Sequence, residues 1–318
     1  MIRRITLIFA VAAIALVASC NKADQFQADD GEKVAVKYQV SLDIAPGLTK
    51  AGEAENGQTE NSDGNAVYGV GTEIDEVLAL VYTVSVEEEV TEYHLFSRQD
   101  IAYSKDAPIE FDLEFFRNQQ YKVVFVAYDL GAYTVSDDAI MTYNSVQLAP
   151  ERYDAFVYAG DVTFSEADAD VTLSRPFALW KVYTTDGDVA SSGNLGAQEI
   201  DNASVTANVN TSYNILSGEF SNPAVMTFKR DFPADDSQKF DEVKHTLLSA
   251  QYIMPSGNVD MNLAIFAGAT EVSNINVPNV PTTANSKVNI YGRLATAQYG
   301  FTITLNFGTV DDVEHPIV

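Results

Sequence analysis

Val34-Ala-Val-Lys-Tyr-Gln-Val-Ser-Leu-Asp-Ile44 alternates with period two. Val34, Val36, Tyr38, Val40, Leu42 and Ile44 fall on one side, and smaller or polar residues fall on the other. Side chains of an extended chain point alternately to opposite faces, so this pattern predicts a half-buried β-strand. Pro46-Gly47 stops it. Downstream, Ala51 to Gly71 is rich in Gly, Glu, Asn and Ser and is expected to be an exposed loop.

Beyond that loop, apolar runs recur at short intervals with Gly, Asn, Asp or Pro between most neighbours. Candidate strands are 76–84, 109–115, 122–128, 155–158, 171–173, 178–184, 204–209, 225–228, 245–253, 260–266, 287–294 and 301–307. Helical spacing is absent over any long stretch; 137–143, after Ser136 as an N-cap, reads as a short turn. Many short strands with turn signals imply an all-β protein built from β-sandwiches. An acidic stretch at 165–170 suggests a boundary, with one sandwich over 34–166 and a second over 167–318 that ends in an acidic tail. In the second, Ala178, Trp180 and Val182 share one strand face, and Phe177, Leu179, Lys181 and Tyr183 share the other. That alternation places Trp180 in a core; a flat platform for sugar rings is the alternative use of the same indole.

Upstream, Met1-Ile-Arg-Arg4 precedes an apolar run from Ile5 to Ala18, the layout of a secretory signal over 1–19. The run is too short to span a bilayer comfortably, since that takes about 20 apolar residues. It ends Val17-Ala-Ser-Cys20, the pattern of a bacterial lipobox, so Cys20 is expected to carry lipid and become the mature N-terminus. Two or three acyl chains anchor far more firmly than one, at about 0.8 kcal/mol per buried methylene. Residues 20–33 are polar and acidic, with Phe26 the one large apolar residue, and read as a tether. Cys20 is the only cysteine, so no internal disulfide forms and apolar cores must hold the fold.

Losing Arg3 and Arg4 with the signal takes the 19 basic residues to 17 against 45 acidic, a net charge of about −28. Such a surface repels nucleic-acid phosphates and anionic headgroups, so nucleic acid is not an expected partner and membrane attachment falls to the lipid. The histidines, His94, His245 and His315, are scattered singly with no zinc-ligand spacing. Neither a GxSxG elbow nor a phosphate-binding glycine loop occurs. Asp186-Gly-Asp188 and Asp235-Asp236 lack the spacing of an EF-hand loop and read as turns. No metal, cofactor or enzymatic activity is therefore expected.

Three stretches carry a family resemblance. Asp170-Val-Thr-Leu-Ser-Arg-Pro-Phe-Ala-Leu-Trp-Lys-Val-Tyr-Thr-Thr-Asp186 resembles the "LxRpfAkvxxxTxD" opening of the second domain in fimbrillin-like lipoproteins of the Bacteroidales. Asn276-Val-Pro-Asn-Val-Pro281 with Lys287-Val-Asn-Ile-Tyr-Gly-Arg-Leu294 resembles that group's "nVPl…rtNIxGxLlT" ending, and Leu48-Thr-Lys-Ala51 its "TRA" segment. Lys50 stands where arginine is usual, and Val288 and Tyr291 are not the commonest residues at their positions.

The resemblance implies two transthyretin-like β-sandwiches, export to the outer membrane as a lipoprotein, and a fimbrial or adhesive role at the cell surface. It also implies assembly with other fimbrial subunits: a trypsin-like protease cuts after a basic residue beyond the first strand, that strand leaves with its lipid, and a strand of the next subunit replaces it. Here the cut would fall after Lys50, the only basic residue between Lys37 and Arg98. Removing 34–44 would strip about six apolar side chains and leave two unpaired strand edges, at roughly 1.5–3 kcal/mol per buried side chain. Phe301, Ile303, Leu305 and Phe307 alternate with Thr302, Thr304 and Asn306, so that segment is either a donor strand or the last strand of its own domain. The competing function is a glycan-binding surface lipoprotein that takes a host or bacterial surface ligand on Trp180 and nearby tyrosines.

Overall fold

A computed structural model describes residues 32–44, 74–144, 150–164, 168–184, 186, 200–231, 239–240, 245–295, 301–307 and 314–315. Nearly all of these lie in strands. The first nine are β1 (Lys33–Leu42), β2 (Glu76–Glu87), β3 (Val90–Ala102), β4 (Ile109–Phe116), β5 (Tyr121–Tyr128), β6 (Tyr133–Val135), β7 (Ile140–Tyr143), β8 (Ala155–Asp161) and β9 (Ala169–Leu173). Then come β10 (Ala178–Thr184), β11 (Asn202–Asn214), β12 (Glu219–Asp231), β13 (Lys239–Phe240) and β14 (His245–Ile253). The last are β15 (Gly257–Ala267), β16 (Thr270–Thr282), β17 (Ser286–Gly292), β18 (Phe301–Phe307) and β19 (Glu314–His315). A single 3-10 turn at Pro150–Tyr153 is the one described helical piece. No helix among the described residues is long and apolar enough to cross a membrane.

Four sheets stack through three apolar layers. In the first sandwich, β4-β1-β9 faces β3-β2-β5-β8. In the second, β13-β14-β10-β17-β18-β19 faces β16-β15-β11-β7-β6, with β12 also on β11. Between the sandwiches lies a third cluster. It takes Leu78, Leu80 and Tyr82 of β2 and Val124, Val126 and Tyr128 of β5, and packs them on Leu179, Tyr183 and Tyr252. The odd-numbered neighbours Val77, Ala79, Val81, Val123 and Phe125 turn into the first core instead. Strands covered on both faces lose the apolar/polar alternation, which is why 77–82 and 123–128 read as unbroken apolar runs.

Two expectations change, and one motif finds its place. Residues 137–143 form the second half of a β-hairpin rather than a helical turn: Ser136 Oγ accepts from the Asp138 and Ile140 amides, each at 3.3 Å, and the chain returns as β7. The boundary at 166/167 does not divide the strands, because β9 pairs with β1 in the first sandwich while β7 pairs with β11 in the second. Asn276–Pro281 lies inside β16, a strand tolerant of Pro278 and Pro281 because it borders its sheet.

Two of the three stretches that carry the resemblance meet in space. β10 runs parallel to β17, pairing Ala178 with Ser286 and Thr184 with Gly292. At the end of that seam the Thr184 hydroxyl accepts from the Leu294 amide at 3.1 Å, and the buried Asp186 carboxylate accepts from the Ala295 amide at 3.0 Å and from Thr184. Asp186 therefore closes a strand end. Among the described residues no group of three or more acidic, histidine or cysteine side chains could hold a metal.

Candidate functional site

The feature with the most consequence is the seat of β1. It pairs antiparallel with β4, from Lys33 opposite Phe116 to Val40 opposite Ile109, and parallel with β9, from Tyr38 opposite Ala169 to Leu42 opposite Leu173. Over Tyr38–Val40 both edges are therefore occupied. β9 arrives roughly 130 residues after β1, so neither hairpin geometry nor sequence proximity holds β1 in place. Packing and the two ladders do.

Val36, Tyr38 and Val40 point inward and are 3–7 % exposed, while Val34, Leu42 and Ile44 pack against the rim of the same cluster. The six apolar residues expected on this face are thus three fully buried and three half-buried. Tyr38 is the largest. Its ring lies 5.2 Å from that of Phe125, which in turn lies 5.3 Å from Phe111 on β4. Loss of β1 would uncover this aromatic floor and the backbone edges of β4 and β9 together.

Burial pushes the Tyr38 phenol up from 10 to about 12, with Tyr158 adding to the effect. In the unfolded chain the phenol ionises near its ordinary value, so the contribution is complete below pH 10 and is lost as pH rises toward 12. Burial raises Tyr82, Tyr128 and Tyr143 as well. Stability should therefore fall steeply above pH 10. Tyr38→Phe should remove about 2–3 kcal/mol of that fall by pH 12 while leaving stability near pH 8 little changed. Chemical denaturation at pH 8, 10 and 11.5 checks it; an unchanged slope in Tyr38→Phe would contradict the buried phenol.

The outward side of β1 is polar and paired. Lys33 Nζ lies 3.3 Å from Glu114, Lys37 Nζ 2.8 Å from Glu110, and Gln39 Nε2 donates to Asp168 at 3.2 Å. Ser41 and Thr172 share a hydrogen bond at 3.1 Å, and Glu32 meets Arg117 at 3.2 Å. The hydrogen bond to Glu110 raises the Lys37 ammonium above its ordinary range, and the charge of Glu110, Asp168 and Asp112 adds to it. This ladder was missed from sequence. Its signal was present in Ile109-Glu-Phe-Asp-Leu-Glu-Phe115, whose acidic residues alternate with apolar ones and so share the outward face of β4.

Cys20 and Lys50 lie outside the described residues. The candidate donor segment Phe301–Phe307 is β18, antiparallel to β17 in its own sandwich, with Ile303 buried in that core. Trp180 is fully buried in the second core, so the sugar-platform use of the indole is corrected: no face of it reaches solvent. His94 is half-exposed on β3, 3.5 Å from Glu92.

No curated protein matches the sequence. Solved structures do align along most of it. One is a candidate polysaccharide-binding protein of Bacteroides thetaiotaomicron, 11 % identical, covering 89 % of this chain and 98 % of its own, with a TM-score of 0.50. Others are a fimbrial assembly protein of Parabacteroides distasonis, 11 % identical over 89 % and 100 % with a TM-score of 0.39, and the fimbrial anchor protein Mfa2 of Porphyromonas gingivalis, 9 % identical over 86 % and 97 %, also at 0.39. At these identities the likeness is one of fold alone. The family assignment rests on sequence, and it spans both sandwiches and the slot: residues 28–315 match the family of unknown function DUF6562, and the chain belongs to it.

Proposed function

We propose that this protein is a structural or adhesive subunit of a surface fimbrium, exported as a lipoprotein and assembled by replacement of β1. The observation that carries the reading is the seat of β1 between β4 and β9. It is the central strand of its sheet and, among the described strands, the one ladder partner of both β4 and β9, so its removal opens a slot with an unpaired edge on each side. Strand addition to such an edge is an established recognition mode, with backbone bonds supplying affinity and alternate pockets supplying specificity. In this reading the lipid on Cys20 holds the chain at the outer membrane until cleavage after Lys50 frees β1, and the role is not enzymatic. A glycan-binding role would need a platform other than Trp180, which is buried.

Treating the purified precursor with a trypsin-like protease, in the presence of a competing peptide of the β1 sequence, tests this. Mass spectrometry should find the N-terminal fragment cut at Lys50, released, and replaced by peptide. In Lys50→Ala the fragment should stay covalently attached and peptide uptake should vanish. Uptake undiminished in Lys50→Ala would remove Lys50 as the processing site, and a clipped β1 that never leaves would remove strand replacement.

A further inference from the structure

The outward face of the slot carries charge that β1 neutralises. β4 contributes Glu110, Asp112 and Glu114, and the β9 side contributes Asp168 and Asp170. Lys33 and Lys37 of β1 sit among these carboxylates, each in direct contact with one of them. Emptying the slot would take away both lysines and leave five carboxylates along its rim, in a chain that already bears a net charge of −26. A replacement strand that brought no positive charge would add apolar contacts but leave that repulsion standing.

Resting on the strand-replacement reading, we infer that the slot selects its incoming strand by charge: the occupant is an extended segment of a different subunit, with alternate apolar residues inward and basic residues at the outward positions now held by Lys33 and Lys37. A second copy of this chain could supply it only as its own β1, which in this reading leaves with the lipid. Of the 19 basic residues, Lys33 and Lys37 are the only two spaced four apart, and that spacing puts both on one face of a strand. The C-terminal strand Phe301–Phe307 has the apolar alternation in sequence, but the residues between are Thr302, Thr304 and Asn306, and Asp311, Asp312 and Glu314 follow. It is neutral where the slot is acidic, and acidic just beyond.

Three labelled peptides test the inference on the full chain clipped at a protease site inserted after Lys50. The first has the sequence of residues 32–44. The second is the same with Lys33→Glu and Lys37→Glu, and the third is residues 299–309. The first should enter the slot. The second should bind about tenfold more weakly at low ionic strength, because two exposed attractions become repulsions, and the gap should shrink to about twofold near 1 M salt. The third should bind more weakly than the first at low salt. Equal binding of the first and second at low salt, or of the first and third, overturns charge selection and leaves strand replacement standing. Failure of the first peptide to enter at all overturns strand replacement and this inference with it.

Discussion

Replacing Arg175 with alanine is expected to destabilise the protein by about 3–5 kcal/mol, a large share of the roughly 5–15 kcal/mol typical of a folded domain. Arg175 lies two residues past the end of β9 and is 2 % exposed. Its guanidinium makes a two-pronged ion pair with Asp154, Nε to Oδ1 at 2.5 Å and Nη2 to Oδ2 at 2.8 Å. It also lies over the rings of Phe156, at 4.5 Å, and Tyr252, at 5.4 Å, so it touches both sandwiches. Removing one member of a buried pair strands the other charge away from water, and that penalty, rather than the intrinsic worth of the pair, sets the magnitude.

Two further substitutions separate these terms. Arg175→Met with Asp154→Leu removes both charges while keeping volume, and should recover most of the loss. Arg175→Lys keeps the charge but loses the fork that matches the carboxylate, and should fall between. Urea denaturation gives all three values. A single Arg175→Ala change costing under about 1 kcal/mol would show that the pair is not desolvated. Ser174, the neighbour of Arg175, exchanges backbone hydrogen bonds with Val157 at 2.8 and 3.0 Å, so the pair also fixes the end of β9 that borders the slot.

Much of this fold could be read from residue order, and the exceptions have physical causes. β1 announced itself through the alternation Val34 to Ile44, since one of its faces is core and the other solvent. The two faces of β10 were assigned correctly: Trp180 and Val182 enter one core, and Phe177, Leu179 and Tyr183 enter the other. β3 went unread because an almost wholly exposed strand has no buried face to mark. Its turn was hidden as well. Glu88 and Glu89 occupy left-handed positions, φ 47° and 71°, where Asn-Gly is the usual signal. Periodicity reports which face a residue takes and says nothing of which strand lies beside it. The parallel contact of β1 with β9, the crossing of β7 into the second sandwich and the burial of Arg175 were therefore beyond its reach. Arg175 in particular sits in a Ser-Arg-Pro run that reads locally as a loop.

If β1 can be exchanged, a reversible covalent lock on β1 must block the exchange. Ala35 on β1 faces Glu114 on β4 across the antiparallel ladder, and both side chains are exposed. Residues so paired have Cα atoms about 4.5–5.5 Å apart, within the span of a disulfide. With Cys20 the only native cysteine, a Cys20→Ser, Ala35→Cys, Glu114→Cys precursor can be locked by oxidation and opened by reduction. After cleavage beyond β1, the oxidised protein should retain its N-terminal fragment and take up no β1 peptide, while the reduced protein should exchange the fragment for peptide as the unlocked precursor does. Equal peptide uptake in the oxidised and reduced forms would rule out exchange of β1, because strands would then be binding somewhere other than the slot that β1 fills.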